Sequence, residues 1–253
     1  KYLKTLIAAM DYAYKDRADY LGDPDFADVP QELLTSKKYA EDIYQLIQVE
    51  KAPSKINVDI KEGEETTHFS IVDKWGNAVS NTYTLNTAYG SGIVPTGTGI
   101  LMNNEMDDFS SKPGYPNAYG LIGSEANKIE PKKTPLSSMS PVIVFQDDKP
   151  YLITGSPGGS TIITSVLQEI LNVLDFKMSL EESSRKSRIH FQHLPDVVFH
   201  EQFDESLIES LKKEKKLLNR KLGEIHSILI KEDIVEAFSD KRRPDGKASS
   251  VYN

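Results

Sequence analysis

Thr66-Thr67-His68-Phe69-Ser70-Ile71-Val72, the turn Asp73-Lys74-Trp75-Gly76-Asn77 and the run Ala78-Val79-Ser80-Asn81-Thr82-Tyr83-Thr84-Leu85-Asn86 decide how this chain is read. Both outer runs are rich in β-branched and aromatic residues, and Trp75-Gly76-Asn77 is a strong turn signal, so the stretch predicts a β-hairpin. A loop of Trp75-Gly76 alone sets Lys74 against Asn77 and Thr66 against Leu85; a slightly wider loop sets Thr66 against Thr84. In either register Thr66 and Thr84 are cross-strand neighbours. Alternation puts Thr82, Thr84 and Asn86 on one face and Val79, Tyr83 and Leu85 on the other, so a polar face accompanies Thr66. On spacing alone, a half-exposed hairpin whose threonines are merely good strand formers remains open.

Working outward, 253 residues suffice for one large domain or two small ones with a sizeable core. The formal charge is −8, with Lys and Arg scattered rather than gathered into a stripe, which argues against a nucleic-acid partner. No apolar run reaches the roughly 18 residues needed to span a bilayer, and Lys1-Tyr2-Leu3-Lys4-Thr5-Leu6-Ile7 lacks the apolar core of a signal peptide. The absence of cysteine removes disulfides, thiolate catalysis and cysteine metal sites.

Leu3, Leu6, Ile7, Met10 and Ala13 predict a helix over residues 1 to 20, ended by Gly22 and Pro24. A second helix is expected from Gln31 to about Leu46, followed by an exposed linker through Lys61-Glu62-Gly63-Glu64-Glu65. Residues 87 to 140 read as long loops, ordered by Leu101, Met102, Met106 and Phe109. Residues 141 to 145 and 150 to 154 read as paired strands around Asp147-Asp148-Lys149. Gly155-Ser156-Pro157-Gly158-Gly159-Ser160 then leads into an apolar helix through Ile162, Val166, Ile170 and Val173. Further helices fit Ser179 to Arg188 and Asp204 to Lys216, and a closing hairpin fits Ser227 to Ile230 with Ile234 to Phe238.

Gly158 and Gly159 open a helix, where free N–H groups can hold an oxyanion; a glycine turn that only permits close packing is the alternative. No Lys follows them, so they are not a nucleotide P-loop. Glu105, Asp107 and Asp108 suit a cationic group, a metal less well, or a solvated acidic loop in which they point apart. Ser137 and Ser138 offer hydroxyls suited to a carboxylate. His190, His193 and His200 read as core or surface histidines rather than a zinc site, because Pro195 intervenes and no helix brings them together. No metal or cofactor is expected.

Taken in order, Thr66-Thr67-His68-Phe69-Ser70, Tyr83-Thr84-Leu85-Asn86, Asn103-Asn104-Glu105-Met106-Asp107-Asp108-Phe109, Pro135-Leu136-Ser137-Ser138-Met139-Ser140-Pro141 and Gly155-Ser156-Pro157-Gly158-Gly159-Ser160 resemble gamma-glutamyltranspeptidase of the bacterial type, an N-terminal-nucleophile hydrolase. The resemblance implies an α+β fold, the α/β/β/α sandwich, present in part. Residues 66 to 253 look like the whole small, catalytic subunit and residues 1 to 65 like the C-terminal end of the large one, so the N-terminal part of the large subunit is expected to be missing.

The resemblance further implies self-cleavage between Glu65 and Thr66, with Thr66 then the nucleophile and its freed α-amine the base. Thr84 would hydrogen-bond the Thr66 hydroxyl, and Gly158 and Gly159 would stabilise the oxyanion. Asn86, Glu105 and Asp108 would hold the α-ammonium of a γ-glutamyl group, Ser137 and Ser138 its α-carboxylate, and Tyr119 would lie in a lid loop. A further Arg from early in the large subunit is implied, and no position here matches it. Expected partners are glutathione and other γ-glutamyl compounds, amino-acid or peptide acceptors, water and the remainder of the large subunit, in a periplasmic or secreted setting. A cephalosporin acylase, a γ-polyglutamate transferase, or an uncleaved fragment that only binds small molecules are the alternatives.

Overall fold

Leu6, Ile7, Met10 and Tyr14 bury one stripe of α1 (Tyr2–Tyr20) in the structure, a computed structural model that describes residues 1–49, 66–232 and 234–251. The second expected helix is divided into α2 (Gln31–Leu34) and α3 (Lys37–Val49). The Thr35 hydroxyl donates back to the Gln31 carbonyl at 2.8 Å, and the Ser36 hydroxyl accepts the Tyr39 N–H at 3.1 Å. Thr35 thus closes one helix and Ser36 caps the next.

β1 (Thr67–Val72) and β2 (Ala78–Tyr83) pair from Thr67↔Tyr83 to Val72↔Ala78, the wider of the two registers, which sets Thr66 beside Thr84. Asp73 fixes that choice. Its carboxylate accepts the N–H groups of Trp75 and Asn77, both at 2.9 Å, and the Asn77 amide at 2.7 Å. Gly76 takes the left-handed φ of 85° that closes a loop of this width. β2 is shorter than the sequence suggests: the Thr84 hydroxyl accepts the Asn86 N–H at 2.9 Å, and Asn86 turns to φ 77°. That local bond ends the strand before Thr84.

β3 (Val142–Gln146) and β4 (Lys149–Thr154) are joined by Asp147 and Asp148, both at positive φ, so Lys149 belongs to the strand. α4 (Ile162–Leu174) follows, then α5 (Leu180–Arg185), whose start is a reciprocal cap between Ser179 and Glu182. A sheet of β5 (Ile189–His190), β6 (Val197–His200) and β7 (Lys216–Asn219) was not expected; α6 (Glu205–Lys212) ends before Lys216 to make room for it. β8 (His226–Lys231) and β9 (Ile234–Ser239) form the expected closing hairpin.

These elements fall into two compact units. One comprises Gly63–Asn103, Ser138–Arg188 and Lys221–Asn253. In its described part the β1–β2 hairpin lies on a four-stranded sheet ordered β3-β4-β8-β9, and α4 and α5 cover the other side. Leu152 and Leu229 meet Val173 and Leu180 under the helices, while alternation turns Ile153 and Ile228 toward the hairpin. The hairpin buries its polar face. Ser80 donates to the Thr154 carbonyl and Ser70 to the His226 carbonyl, each at 2.9 Å, and Phe69, Ile71, Val79 and Tyr83 point outward.

The other unit comprises Lys1–Glu62, Asn104–Ser137 and Ile189–Arg220. His190 sits in its core, edge-on to Tyr14 and near Phe199. The Gln192 amide nitrogen donates to the Tyr119 and Leu194 carbonyls, so its oxygen accepts the His190 Nε2–H at 2.9 Å. Burial lowers the imidazole pKa to about 4, the hydrogen bond to Gln192 opposing only in part. A depressed pKa means that stability is fully present above the unfolded value near 6.5 and is lost as pH falls toward 4. The expected loss is about 3 kcal/mol, read as a falling thermal midpoint between pH 7 and pH 4; His190→Gln should flatten part of that slope, and an unchanged slope would remove His190 as its source.

Candidate active site

Thr66 immediately precedes β1 and is buried, 4% exposed. Its hydroxyl donates to Thr84 Oγ1 at 3.3 Å, and the same oxygen accepts the Asn86 N–H at 2.9 Å. The candidate nucleophile, its cross-strand neighbour and Asn86 are therefore joined by bonds that follow from the hairpin register. Asn86 is itself buried, in a left-handed conformation that Asn tolerates better than most residues. Glu65, the other side of the expected scissile bond, lies outside the described residues.

Thr66 lines a cavity of about 370 Å³ with Pro157, the residue before the glycine pair, and with His68 and His226. Gly158 has φ 132° and Gly159 φ 54°. A 3-10 turn, Gly159–Thr161, precedes α4, so the helix proper begins slightly later than expected. Thr161 ties the turn down: its N–H and hydroxyl both donate to the Gly158 carbonyl, at 3.0 and 2.8 Å. That carbonyl is thereby held on the helix side of the turn.

In the other unit Glu105, Asp107 and Asp108 form one 3-10 turn, Glu105–Asp108. Asp107 accepts the Ala118 N–H at 2.9 Å, and the Asp108 carbonyl accepts the Asn127 amide at 2.8 Å. Asp107 is turned to the Ala118 N–H, whereas Glu105 and Asp108 stay close enough to act on each other. Burial first, then a hydrogen bond to Asp108 and its charge, push the Glu105 pKa up; burial also raises Asp108, opposed by that hydrogen bond and by Arg17. Both shifts favour a proton held between the two carboxylates. Tyr119 is buried beside these acids: burial and then the charges of Asp108, Glu105 and Asp107 raise its phenol pKa, keeping it a hydrogen-bond donor. Its loop is shaped by Asn117, whose side-chain oxygen accepts the Tyr119 and Leu121 N–H groups, both at 3.0 Å.

Ser137 is exposed, and Ser138 is partly buried with its carbonyl accepting the Ser140 hydroxyl at 3.1 Å. The histidines have separate partners: Gln192 for His190, Asp11 for His193 at 2.6 Å, and the Glu201 carbonyl for His200 at 2.6 Å. Among the described residues no group of three or more His, Cys, Asp or Glu is arranged to hold a metal ion.

The gamma-glutamyltranspeptidase family model matches residues 1–250. The chain belongs to that family. A relative from Escherichia coli (strain K12), named glutathione hydrolase proenzyme, is 48% identical over 241 residues, covering 91% of this chain and 41% of its own length. The chain thus spans less than half the length of such curated relatives, 45% for a second glutathione hydrolase proenzyme from Pseudomonas aeruginosa that is 44% identical over 255 residues, 96% of this chain. A solved gamma-glutamyltranspeptidase chain from Pseudomonas nitroreducens, in complex with L-DON, is 47% identical at a TM-score of 0.70 and covers 74% of this chain and 100% of its own. At 22% identity and a TM-score of 0.78, the Bacillus halodurans cephalosporin acylase covers 98% of this chain and 44% of its own, a likeness in fold. The fold is that of the N-terminal-nucleophile hydrolases, α+β with stacked sheet layers.

Within this family member, sequence reasoning passed over Arg17. It lies three residues beyond Tyr14, half-buried where the stripe of α1 would continue, and its charge acts on Asp108. A cation at a position where the spacing calls for an apolar side chain was the available signal. His68 lies within the motif that begins at Thr66 and is buried beside it.

Proposed function

We propose that this chain carries the catalytic part of a self-processing enzyme that transfers γ-glutamyl groups from glutathione and related compounds to water or to amino-acid and peptide acceptors. The observation that carries the reading is the Thr66 hydroxyl held by Thr84, itself fixed by the Asn86 N–H, at the start of a hairpin in a member of the gamma-glutamyltranspeptidase family. Residues 66 to 253 act as the small subunit, residues 1 to 65 end the large one, and the remaining large subunit covers the outward face of the hairpin. The exposure of Phe69, Ile71, Val79 and Tyr83 supports that last point.

Two acyl transfers use the same oxygen. In the precursor Thr66 Oγ1 attacks the Glu65 carbonyl, the peptide nitrogen leaves with a proton to become the α-amine, and water hydrolyses the resulting ester. An α-amine has a pKa of about 8, so a fraction is neutral at neutral pH and takes the hydroxyl proton, which a peptide nitrogen cannot do. Thr66 then attacks the γ-carbonyl of the donor, and the Gly158 and Gly159 N–H groups receive the charge of the tetrahedral oxyanion. The leaving amine departs with the proton, and water or an acceptor amine releases the γ-glutamyl group from the Thr66 ester. No metal or cofactor enters this scheme.

Asn86, Glu105 and Asp108 hold the α-ammonium of the donor, Ser137 and Ser138 its α-carboxylate, and Tyr119 belongs to the loop closing over it. The shared proton gives this assignment a pH signature. An ammonium ion replaces that proton, so KM for the donor should rise as pH falls into the raised titration range of Glu105. Asp108→Asn should raise KM by on the order of thirtyfold, the loss of one charge-assisted hydrogen bond, while self-cleavage proceeds. Steady-state kinetics against a γ-glutamyl anilide checks both, and an unchanged KM would remove Asp108 from the ligand set. Secretion to the periplasm or medium fits the reading; among the described residues no helix is long and apolar enough to cross a membrane.

A further inference from the structure

His68 stands two residues after Thr66 on the same strand face, and the residue is 5% exposed. Ser70 uses its hydroxyl proton on the His226 carbonyl at 2.9 Å, so its oxygen must accept from His68 Nε2 at 3.1 Å. Nε2 therefore carries the imidazole proton, and Nδ1 accepts the Thr82 hydroxyl at 2.7 Å. Thr82 is the cross-strand partner of His68. The His226 N–H in turn donates to the Gly155 carbonyl at 3.1 Å. Hydrogen bonds through Ser70, and then through the backbone of His226, thus join both strands of the nucleophile hairpin to the residue that starts the Gly155–Gly159 turn.

The ring also touches that residue directly. A Cβ on Gly155 would fall 2.2 Å from Cε1, 2.3 Å from Nδ1 and 2.7 Å from Nε2, so the imidazole lies flat against the Gly155 backbone in space that any side chain would fill. Gly155 needs no unusual φ; its lack of a side chain serves this contact. Burial, and next the neighbouring His226, lower the His68 pKa to about 4, which keeps the ring neutral and in the tautomer its partners require.

We propose that His68 is a positioning residue whose buried ring spaces the nucleophile strand from Gly155, and through Gly155 sets Thr66 against the N–H groups of Gly158 and Gly159. The ring touches no reacting atom in this role. It acts as a fixed spacer, and reaction rate is steep in such spacing: a shift of about 1 Å at a reacting group costs on the order of a hundredfold in rate. The inference rests on Thr66 being the nucleophile.

The test is a double-mutant cycle between His68→Ala and Gly155→Ala in the full-length enzyme, followed by self-cleavage rate, kcat and donor KM. Each single change should lower kcat about a hundredfold with KM within a few-fold, because the ring bonds Thr82 and Ser70 and not the residues assigned to the donor's ammonium and carboxylate. The double variant should be no worse than the worse single one, since removing the ring makes room for the new methyl group. His68→Gln, which keeps one acceptor and one donor, should recover part of kcat. Additive losses, a tolerated Gly155→Ala, or a fall in thermal midpoint with kcat unchanged would overturn the proposal. If the single variants mature too slowly for kcat to be read, their residual self-cleavage rates complete the cycle, with additivity again the contradicting result. Wild-type enzyme without γ-glutamyl turnover would instead point to failure of the functional reading.

Discussion

Thr66→Ala in the full-length protein should leave one uncut polypeptide and abolish γ-glutamyl turnover. The argument starts from the position of the hydroxyl: buried, at the start of β1, and held at 3.3 Å from Thr84 Oγ1. Removing it removes the only atom assigned to attack both the Glu65 carbonyl and the donor, so both reactions fail together. Loss of an essential nucleophile typically costs on the order of a millionfold in kcat. Thr66→Ser separates the functions of this residue, because the hydroxyl and the α-amine remain while the methyl group that fixes the rotamer is gone; slower but real cleavage is expected. A Thr66→Ala protein that still divides on a denaturing gel would place the scissile bond elsewhere.

Gly158→Val should lower kcat about a hundredfold, near 3 kcal/mol in the barrier, with a smaller change in KM. The turn cannot accept a side chain on either count. Its φ of 132° lies where L-residues are strained, and a Cβ would approach Thr161 Oγ1 to 2.7 Å and the Gly223 Cα to 3.2 Å. Thr161 holds the Gly158 carbonyl, so displacing Thr161 re-aims the neighbouring N–H groups. Charge on the substrate oxygen develops only in the transition state, which is why kcat should carry the loss. Near-normal turnover in a processed Gly158→Val enzyme would return the glycines to a packing role.

The hairpin was legible because its signals are local: alternation, β-branched residues, and a glycine able to take the positive φ that a wider loop demands. Its buried side was not. Apolar content favours burying Phe69, Ile71, Val79 and Tyr83, yet the inward face carries Thr66, His68, Ser70, Ser80 and Thr82, because their polar atoms bond one another and the backbone of β4 and β8. Such reciprocity is tertiary, and no window of sequence contains it. The β5–β6–β7 sheet was missed for a related reason. β6 is buried along its whole length and so lacks alternation, β5 is very short, and β7 pairs parallel to β6 after a helix whose charged end runs into it.

The candidate site divides in the same way. That Thr66 and Thr84 are cross-strand neighbours follows from counting residues across a turn, whereas the raised pKa values of Glu105 and Asp108 arise from burial, against the opposing charge of Arg17 on Asp108, and sequence spacing encodes neither. Gly155 is the clearest case. Its neighbours in sequence give no reason for a glycine at that position; the reason is the His68 ring lying against it.

The central claim is that Thr66 is an amino-terminal nucleophile that carries the γ-glutamyl group. Intact-mass measurement of the full-length protein, before and after a brief reaction with a γ-glutamyl donor, tests it most directly. The account requires a small chain that begins at Thr66 and, on rapid quenching, a γ-glutamyl adduct on that residue, absent from Thr66→Ala. Turnover by a protein whose Glu65–Thr66 bond remains intact, or an adduct on any other residue, would contradict it.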